Sequence, residues 1–246
     1  ASHERIAPAF RDVLDDAKSA LLGGRDPGAT SDAALFVYGS VATGQAEPGR
    51  SDVDLLAVGV DPVRAVAASQ DLSVRFVDRC REVAIGTATA AHFDGDRDEA
   101  YGNRVFLRHY CVHLAGSTRH IPSHDFAADI RAARGFNGDV ARHRDRWRSD
   151  LMGDADEAGL ATRLARKLLL AVAGLVSVHD GTWTTDRAFA ASRWSEVEPR
   201  HADGLATLLD WTAGAPSVGR LDVAAVLGDV VDPLVDRFAT DIGLWP

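Results

Sequence analysis

Apolar positions follow two rhythms along this chain, and the change between them divides it. From Glu4 to Leu22, the residues Ile6, Phe10, Val13, Leu14, Ala17, Leu21 and Leu22 recur at three- and four-residue steps, the period of one helix face. Gly23-Gly24 stops the run, and Arg25 to Asp32 reads as a polar loop around Pro27 and Gly28. Ala33 to Tyr38 is a compact apolar run, as in a buried strand, and Asp52 to Val58 is a second. Gly44, Pro48 and Gly49 mark turns between them. Asp61-Pro62 is a helix start, a capping side chain followed by proline at the first helical position. Val63, Val66, Ala67, Val74 and Val77 then carry a helical step to Arg81. Glu82-Val83-Ala84-Ile85 reads as a short third strand ending at Gly86, although Val74-Arg75-Phe76-Val77 also fits a strand. His92 to Gly102 reads as a charged loop, and Asn103 to Leu114 as a helix turning into an edge strand stopped by Gly116.

Beyond Asp125 the rhythm is helical throughout. Phe126 to Leu151 contains the charged run Arg142-His143-Arg144-Asp145-Arg146-Trp147-Arg148. Asp156 to Val178, with Leu160, Leu164, Leu168, Leu169, Val172 and Val176, is apolar enough to be the centre of a bundle. Thr185 or Asp186 can cap a following helix through Trp194, Pro199 opens another, Gly214 to Gly219 breaks, and Leu221 to Ile242 is the last. Ser117 to Ser123, with Pro122, is the candidate boundary, giving domains at about 1–120 and 121–246.

Composition narrows the partners more than the fold. The chain has 246 residues and 46% hydrophobic residues, enough for one large or two small domains with real cores. A net charge of −9 argues against a general nucleic-acid surface and mildly favours a cationic small molecule, though acidity also serves solubility. Cys80 and Cys111 have neither metal-ligand nor disulfide-framework spacing, so buried free thiols and a cytoplasmic location are expected. No stretch has the length of a membrane span.

The chemistry gathers where the two apolar runs meet polar residues. Gly39-Ser40 follows the first, and Asp52 and Asp54 stand two apart at the start of the second. Alternate residues of a strand share a face, so the aspartates form a pair of hard oxygen ligands suited to Mg²⁺ with substrate phosphates. Gly39 permits close backbone approach, and Ser40 offers a hydroxyl and an amide to an anion. If the third strand neighbours the second, Glu82 lies beside the pair; were Val74 to Val77 the strand, Asp78 would compete for that place.

With these residues placed, the chain resembles the DNA polymerase β-like nucleotidyltransferases. The likeness rests on Gly39-Ser40, eleven intervening residues, Asp52-Val53-Asp54 and the apolar Leu55-Leu56-Ala57-Val58, with Tyr38 and Ser51 in step. The later Leu164-Ala165-Arg166-Lys167, Ala173-Gly174 and Thr184 to Trp194 resemble the helical domain of the aminoglycoside nucleotidyltransferases. One departure is that Thr185 or Arg187 stands near the place of that family's phosphate-binding lysine. The resemblance implies an α/β (α+β) nucleotidyltransferase domain with a small mixed sheet, then an all-α helical bundle, with substrates in a cleft between them.

It also implies the reaction. A nucleoside monophosphate, AMP from ATP, would pass to a hydroxyl of a small molecule, an aminoglycoside-type antibiotic, with release of pyrophosphate. Two Mg²⁺ ions would be held by Asp52 and Asp54, with Glu82 as third ligand or proton acceptor. Gly39, Ser40 and Ser51 would bind phosphate. Arg166 and Lys167 would neutralise the triphosphate, with Arg163 and Arg50 as rivals, though each also fits a solvated surface. Nucleic-acid and membrane partners are not expected. Transfer to a protein acceptor, or nucleotide sensing without turnover, uses the same residues. Asp154, Asp156 and Glu157 could face a cationic acceptor or simply favour a helix N-terminus. The remaining conspicuous groups read as structural: the Arg142 to Arg148 run as a solvated helix face, and His109, His113 and the tryptophans as packing.

Overall fold

The computed structural model describes residues 1–23, 32–154, 156–214 and 217–246. The polar loop expected from Arg25 lies, as far as Ser31, outside the described residues, as do Ala215 and Pro216 of the later break. Four strands form one sheet in the order β3-β2-β1-β4: β1 Ala34–Tyr38, β2 Val53–Val58, β3 Val83–Ala88 and β4 Val112–Gly116. β1 is antiparallel to both β2 and β4, whereas β2 and β3 are parallel, so the small sheet is mixed.

Parallel neighbours need a crossover, and α3 (Pro62–Arg75) supplies it. Asp61 caps it, its Oδ1 accepting the Val63 N–H at 2.8 Å. The helix ends at Arg75, not at Arg81 as the apolar steps predict. Length explains this: six strand residues span about 20 Å and fourteen helical residues about 21 Å, so the return is complete there. A turn follows, in which Arg79 and Cys80 N–H groups donate to the Phe76 carbonyl. β3 continues through Gly86, which pairs with Leu56, to Ala88.

Both sheet faces are buried, which is why the strands read as continuous apolar runs. Leu35, Val37, Val53, Leu55 and Ala57 pack on one side against Val13, Leu14, Ala17 and Leu21 of α1 (Arg11–Leu22) and Ala65, Ala68 and Leu72 of α3. Ala34, Phe36 and Val58 pack on the other against Phe93, Leu107 and Cys111. The N-terminal helix is shorter than its periodicity suggests. Pro8 holds the preceding Ala7 extended at ψ 142°, and short 3₁₀ turns precede α1. After β1 come five helical residues, α2 (Gly39–Thr43). Within the segment expected to be a charged loop, α4 (Asp98–His109) has already begun, with Asp98 and Glu99 in its first turn.

By contacts the chain divides into two compact units, Ala1–Asp96 with Asn103–Asp125, and Arg97–Gly102 with Phe126–Pro246. The second is helical: α5 Ile130–Asn137, α6 Val140–Met152, α7 Glu157–Asp180, α8 Arg187–Val197, α9 Ala202–Thr212, α10 Arg220–Val226 and α11 Asp232–Asp241. α7 is its centre, buried from Leu160 to Ser177 along much of its circumference. Asp156 caps it through the Gly159 N–H at 3.1 Å, and Asp186 caps α8 through the Phe189 N–H at 3.0 Å. The long helix expected from Phe126 breaks at Gly138. A Cβ there would meet the Trp245 ring at 2.2 Å, and that indole donates to the Arg134 carbonyl at 2.7 Å. The last helix widens into a π turn at Leu227–Val231, just before Pro233, which has no N–H to give. No described helix is long and apolar enough to cross a membrane.

Candidate active site

β1 ends at Tyr38, which sits opposite Asp54 of β2. The next residue, Gly39, has φ +69°, a conformation that side-chain-bearing residues adopt at a cost. A Cβ at this position would lie 2.4 Å from Asp54 Oδ2. The carboxylate of Asp54 is thus seated against bare backbone, and glycine is required twice over, by conformation and by space. Gly44 ends α2 in the left-handed region, its N–H reaching the Ser40 and Val41 carbonyls. The Ser40 carbonyl also accepts the Gln45 N–H at 2.9 Å, so the residues after β1 form a tight, internally bonded turn.

The second half of the site is built by strand register. Asp54 pairs with Ala84, and the Val53 N–H donates to the Glu82 carbonyl at 2.8 Å, extending the parallel ladder by one step. Side chains alternate along a strand, so Asp52, Asp54, Glu82 and Tyr38 fall on one face, at one end of the sheet. Asp78 lies in the turn after α3, away from this ladder, and is exposed. Ser51 closes the approach to β2: its Oγ accepts the Glu47 N–H at 2.9 Å and its carbonyl accepts the Arg81 N–H at 3.1 Å.

Arg81 was not singled out by the sequence pattern, which placed it at the end of a helix. Its Nε donates to Asp52 Oδ1 at 2.8 Å and its Nη2 to Asp52 Oδ2, a fork on a fork. The bond to Asp52 is the main reason its proton is held more tightly than usual. Partial burial works against this, and the charges of Asp52, Glu82 and Asp54 add to it. A guanidinium therefore rests in the field of all three carboxylates. The signal that could have found it is the pairing itself: a strand parallel to β2 from Glu82 puts residue 81 beside residues 51 and 52.

On the inner side, burial, then the charge of Asp54, with a contribution from Cys111, push the Tyr38 phenol up to about 12. Tyr38 packs edge-on against Phe106 at 5.1 Å, and Phe106 stacks with Tyr110 at 6.3 Å. An apolar aromatic floor thus lies beneath the carboxylates. Cys80 and Cys111 are buried free thiols.

The other candidates lie in the helical unit and have partners there. Lys167 Nζ is 2.7 Å from Asp139 Oδ1, and Asp139 also meets His143 Nε2 at 3.1 Å. Arg166 Nη2 donates to the Thr212 carbonyl at 3.3 Å. Arg163 is exposed on α7, and Arg50 forms an exposed pair with Glu47 at 3.3 Å.

Residues 25–107 match the family model described as the nucleotidyltransferase domain. The chain carries a nucleotidyltransferase domain. The matched segment contains Gly39, Ser40, Asp52, Asp54 and Glu82, so this is an enzyme of the nucleotidyltransferase kind, and nucleotidyl transfer is its coarse activity. Among solved structures, the chain is similar to the crystal structure of spectinomycin adenyltransferase AAD(9) from Enterococcus faecialis with ATP and spectinomycin. The TM-score is 0.55 at 12% identity, over 97% of this chain and 99% of the other. At that identity the likeness speaks for the fold, and it extends over the helical unit as well as the sheet. No curated protein matches the sequence.

Proposed function

We propose that the enzyme transfers AMP from ATP to a hydroxyl of a cationic, aminoglycoside-type small molecule in the cytoplasm, releasing pyrophosphate. The observation that carries this reading is the seating of Asp54 against Gly39, with Asp52 and Glu82 on the same sheet face. Support for the acceptor class is of two kinds: the net charge of −9, and the similar fold of an adenyltransferase whose structure holds ATP and spectinomycin.

The donor set suits Mg²⁺. Three carboxylate side chains share a face, and a cationic group, Arg81, already rests among them. Among the described residues no group of three His, Cys, Asp or Glu side chains is placed to hold a metal as they stand, and Asp52 is bonded by Arg81. Asp52, Asp54 and Glu82 would hold two ions, whose chemistry is to neutralise the triphosphate and to acidify the acceptor hydroxyl. On this reading the Gly39 and Ser40 amides and the Ser40 and Ser51 hydroxyls orient the phosphates. The Glu82 carboxylate, exposed at the head of β3, receives the hydroxyl proton. Arg166 and Lys167 are assigned to the triphosphate, each exchanging its present partner, the Thr212 carbonyl or Asp139, for a phosphate oxygen. Phosphoryl-group chemistry asks mainly for such positioning and charge neutralisation.

The test is pyrophosphate release from labelled ATP with Mg²⁺ and a panel of aminoglycosides and spectinomycin, with mass analysis of the acceptor. Acceptor heavier by one AMP supports the reading. ATP binding without release points to a sensor, and label on a protein band to a protein acceptor; either would overturn it.

A further inference from the structure

Arg81 is fixed at its base and loaded at its tip. Its N–H is bonded to the Ser51 carbonyl at 3.1 Å, and the next carbonyl, that of Glu82, accepts from Val53 at 2.8 Å. Backbone bonds on both sides thus hold the residue beside the start of β2. From there the guanidinium takes both oxygens of Asp52. The arginine side chain is 55% exposed and Asp52 only 23%, so the cation caps the carboxylate from the solvent side. The reason for such a cap is electrostatic. Three like charges on one face repel, and leaving them uncompensated would raise the energy of the folded state or protonate one of them. The same two oxygens are those a divalent ion would need. Arginine and metal therefore compete at Asp52, for its oxygens and as like charges.

We propose that Arg81 is a positioning residue, the resident counter-cation of the carboxylate face, which holds Asp52 until a divalent ion arriving with the nucleotide takes its place. This rests on the metal-dependent reading above and goes one step beyond it. In the nucleotide-free protein the ion must displace the guanidinium, so binding of free metal is weakened. The ion that comes with a triphosphate gains phosphate ligands as well and completes the exchange. The released arginine is half-exposed and free to turn into water, so the exchange leaves no buried charge behind. The protein thereby favours the metal–nucleotide complex over the free metal.

The experiment is Mn²⁺ titration of the nucleotide-free protein followed by electron paramagnetic resonance, which counts free ion directly and needs no turnover. Arg81→Ala is expected to bind Mn²⁺ about three- to tenfold more tightly than the unaltered protein, the range that a partly exposed ion pair can impose. Arg81→Lys, which keeps the charge but loses the fork, is expected between the two. Arg79→Ala removes the same charge two residues away and is expected to leave the affinity unchanged. Circular dichroism checks that each variant is folded; should Arg81→Ala not fold, the lysine variant decides alone. Equal or weaker Mn²⁺ binding by the Arg81 variants, with Mn²⁺·ATP still bound by the unaltered protein, overturns the role of Arg81 and leaves the metal-dependent reading standing. An equal gain in Arg79→Ala overturns it too, since general charge would then be the cause. No Mn²⁺ binding by the unaltered protein, even with ATP, overturns the reading itself and the proposal with it.

Discussion

The helical unit and the carboxylate face of the sheet handle charge in opposite ways. In the helical unit, acids and bases on neighbouring helices close on each other: Lys167 on Asp139, Arg148 on Asp232 at 2.5 Å, Arg144 on Asp236 at 3.4 Å, and Arg193 on Asp180 at 3.0 Å. In the sheet unit, Asp52, Asp54 and Glu82 are gathered on one face, and Arg81, largely in solvent, bonds Asp52 and extends its field to the others. A fold built only for stability would pair or separate these carboxylates. Their concentration costs electrostatic free energy that a cation arriving with substrate would offset. The contrast teaches where to look for chemistry in this molecule: at like charges held together, more than at charges neutralised.

The contrast breaks most sharply at Asp54. Asp54→Asn keeps the shape and removes the charge, so turnover should fall by about 10³-fold or more, the scale of losing one preorganised electrostatic group. Melting temperature should hold or rise, because a repulsion is relieved. A parallel fall in both would mean that the carboxylate serves the fold. Gly39→Ala acts on the same contact from the other side. Its Cβ would press on Asp54 Oδ2, and φ +69° costs a side-chain-bearing residue about 1–2 kcal/mol. We expect a loss of about that size in chemical denaturation and a drop of about 10²-fold in turnover from the displaced carboxylate. Stability loss with full activity would show that the carboxylate tolerates displacement.

What the sequence displayed of this arrangement follows from how local each part is. The shared face of Asp52 and Asp54 is written in the period of a strand, and the Gly39 turn in a glycine after an apolar run. The place of Glu82 depends on whether two strands separated by a helix lie side by side, which the chain states only through the helix between them. Arg81 is not legible locally because the apolar steps of α3 run on past Arg75, whereas the helix ends there, where its length matches that of β2. In the helical unit, Arg144 and Arg148 of the Arg142 to Arg148 run have partners some ninety positions away, on α11, so no local pattern could reveal them. The break at Gly138 is likewise decided by Trp245, from the far end of the chain.

A smaller effect tests the helical side of the contrast. Lys167 and Asp139 are each about four-fifths buried, so Lys167→Ala leaves a carboxylate with His143 as its remaining neighbour. Removing one partner of such a pair should cost about 1–2 kcal/mol, discounted for partial exposure from the fully buried case. Thermal or urea unfolding reads it directly. If Lys167 also serves ATP, its KM should rise in the same variant. Lys167→Arg, which can keep the ion pair, would separate the two by restoring stability before KM.

The smallest expected effect lies under the site. Tyr38 keeps its proton to about 12 where an unperturbed phenol gives it up near 10, first because it is buried and then because Asp54 is close. The sign for stability follows. Between pH 10 and 12 the unfolded chain has lost a proton that the folded chain retains, so the unfolded state is progressively favoured as pH rises through that window. Below pH 10 both states hold the proton, and the contribution is constant. Phenolate absorbance should therefore show a late-titrating tyrosine that Tyr38→Phe removes, while Tyr110, also pushed up by burial, continues to titrate late. In Asp54→Asn the Tyr38 step should move down towards 10 without reaching it, because burial, the larger cause, is untouched. A step that does not move would place the charge of Asp54 outside the reach of Tyr38. The carboxylate would then be screened even at its buried edge, and the cost of gathering three acids on one face would be smaller than their arrangement implies.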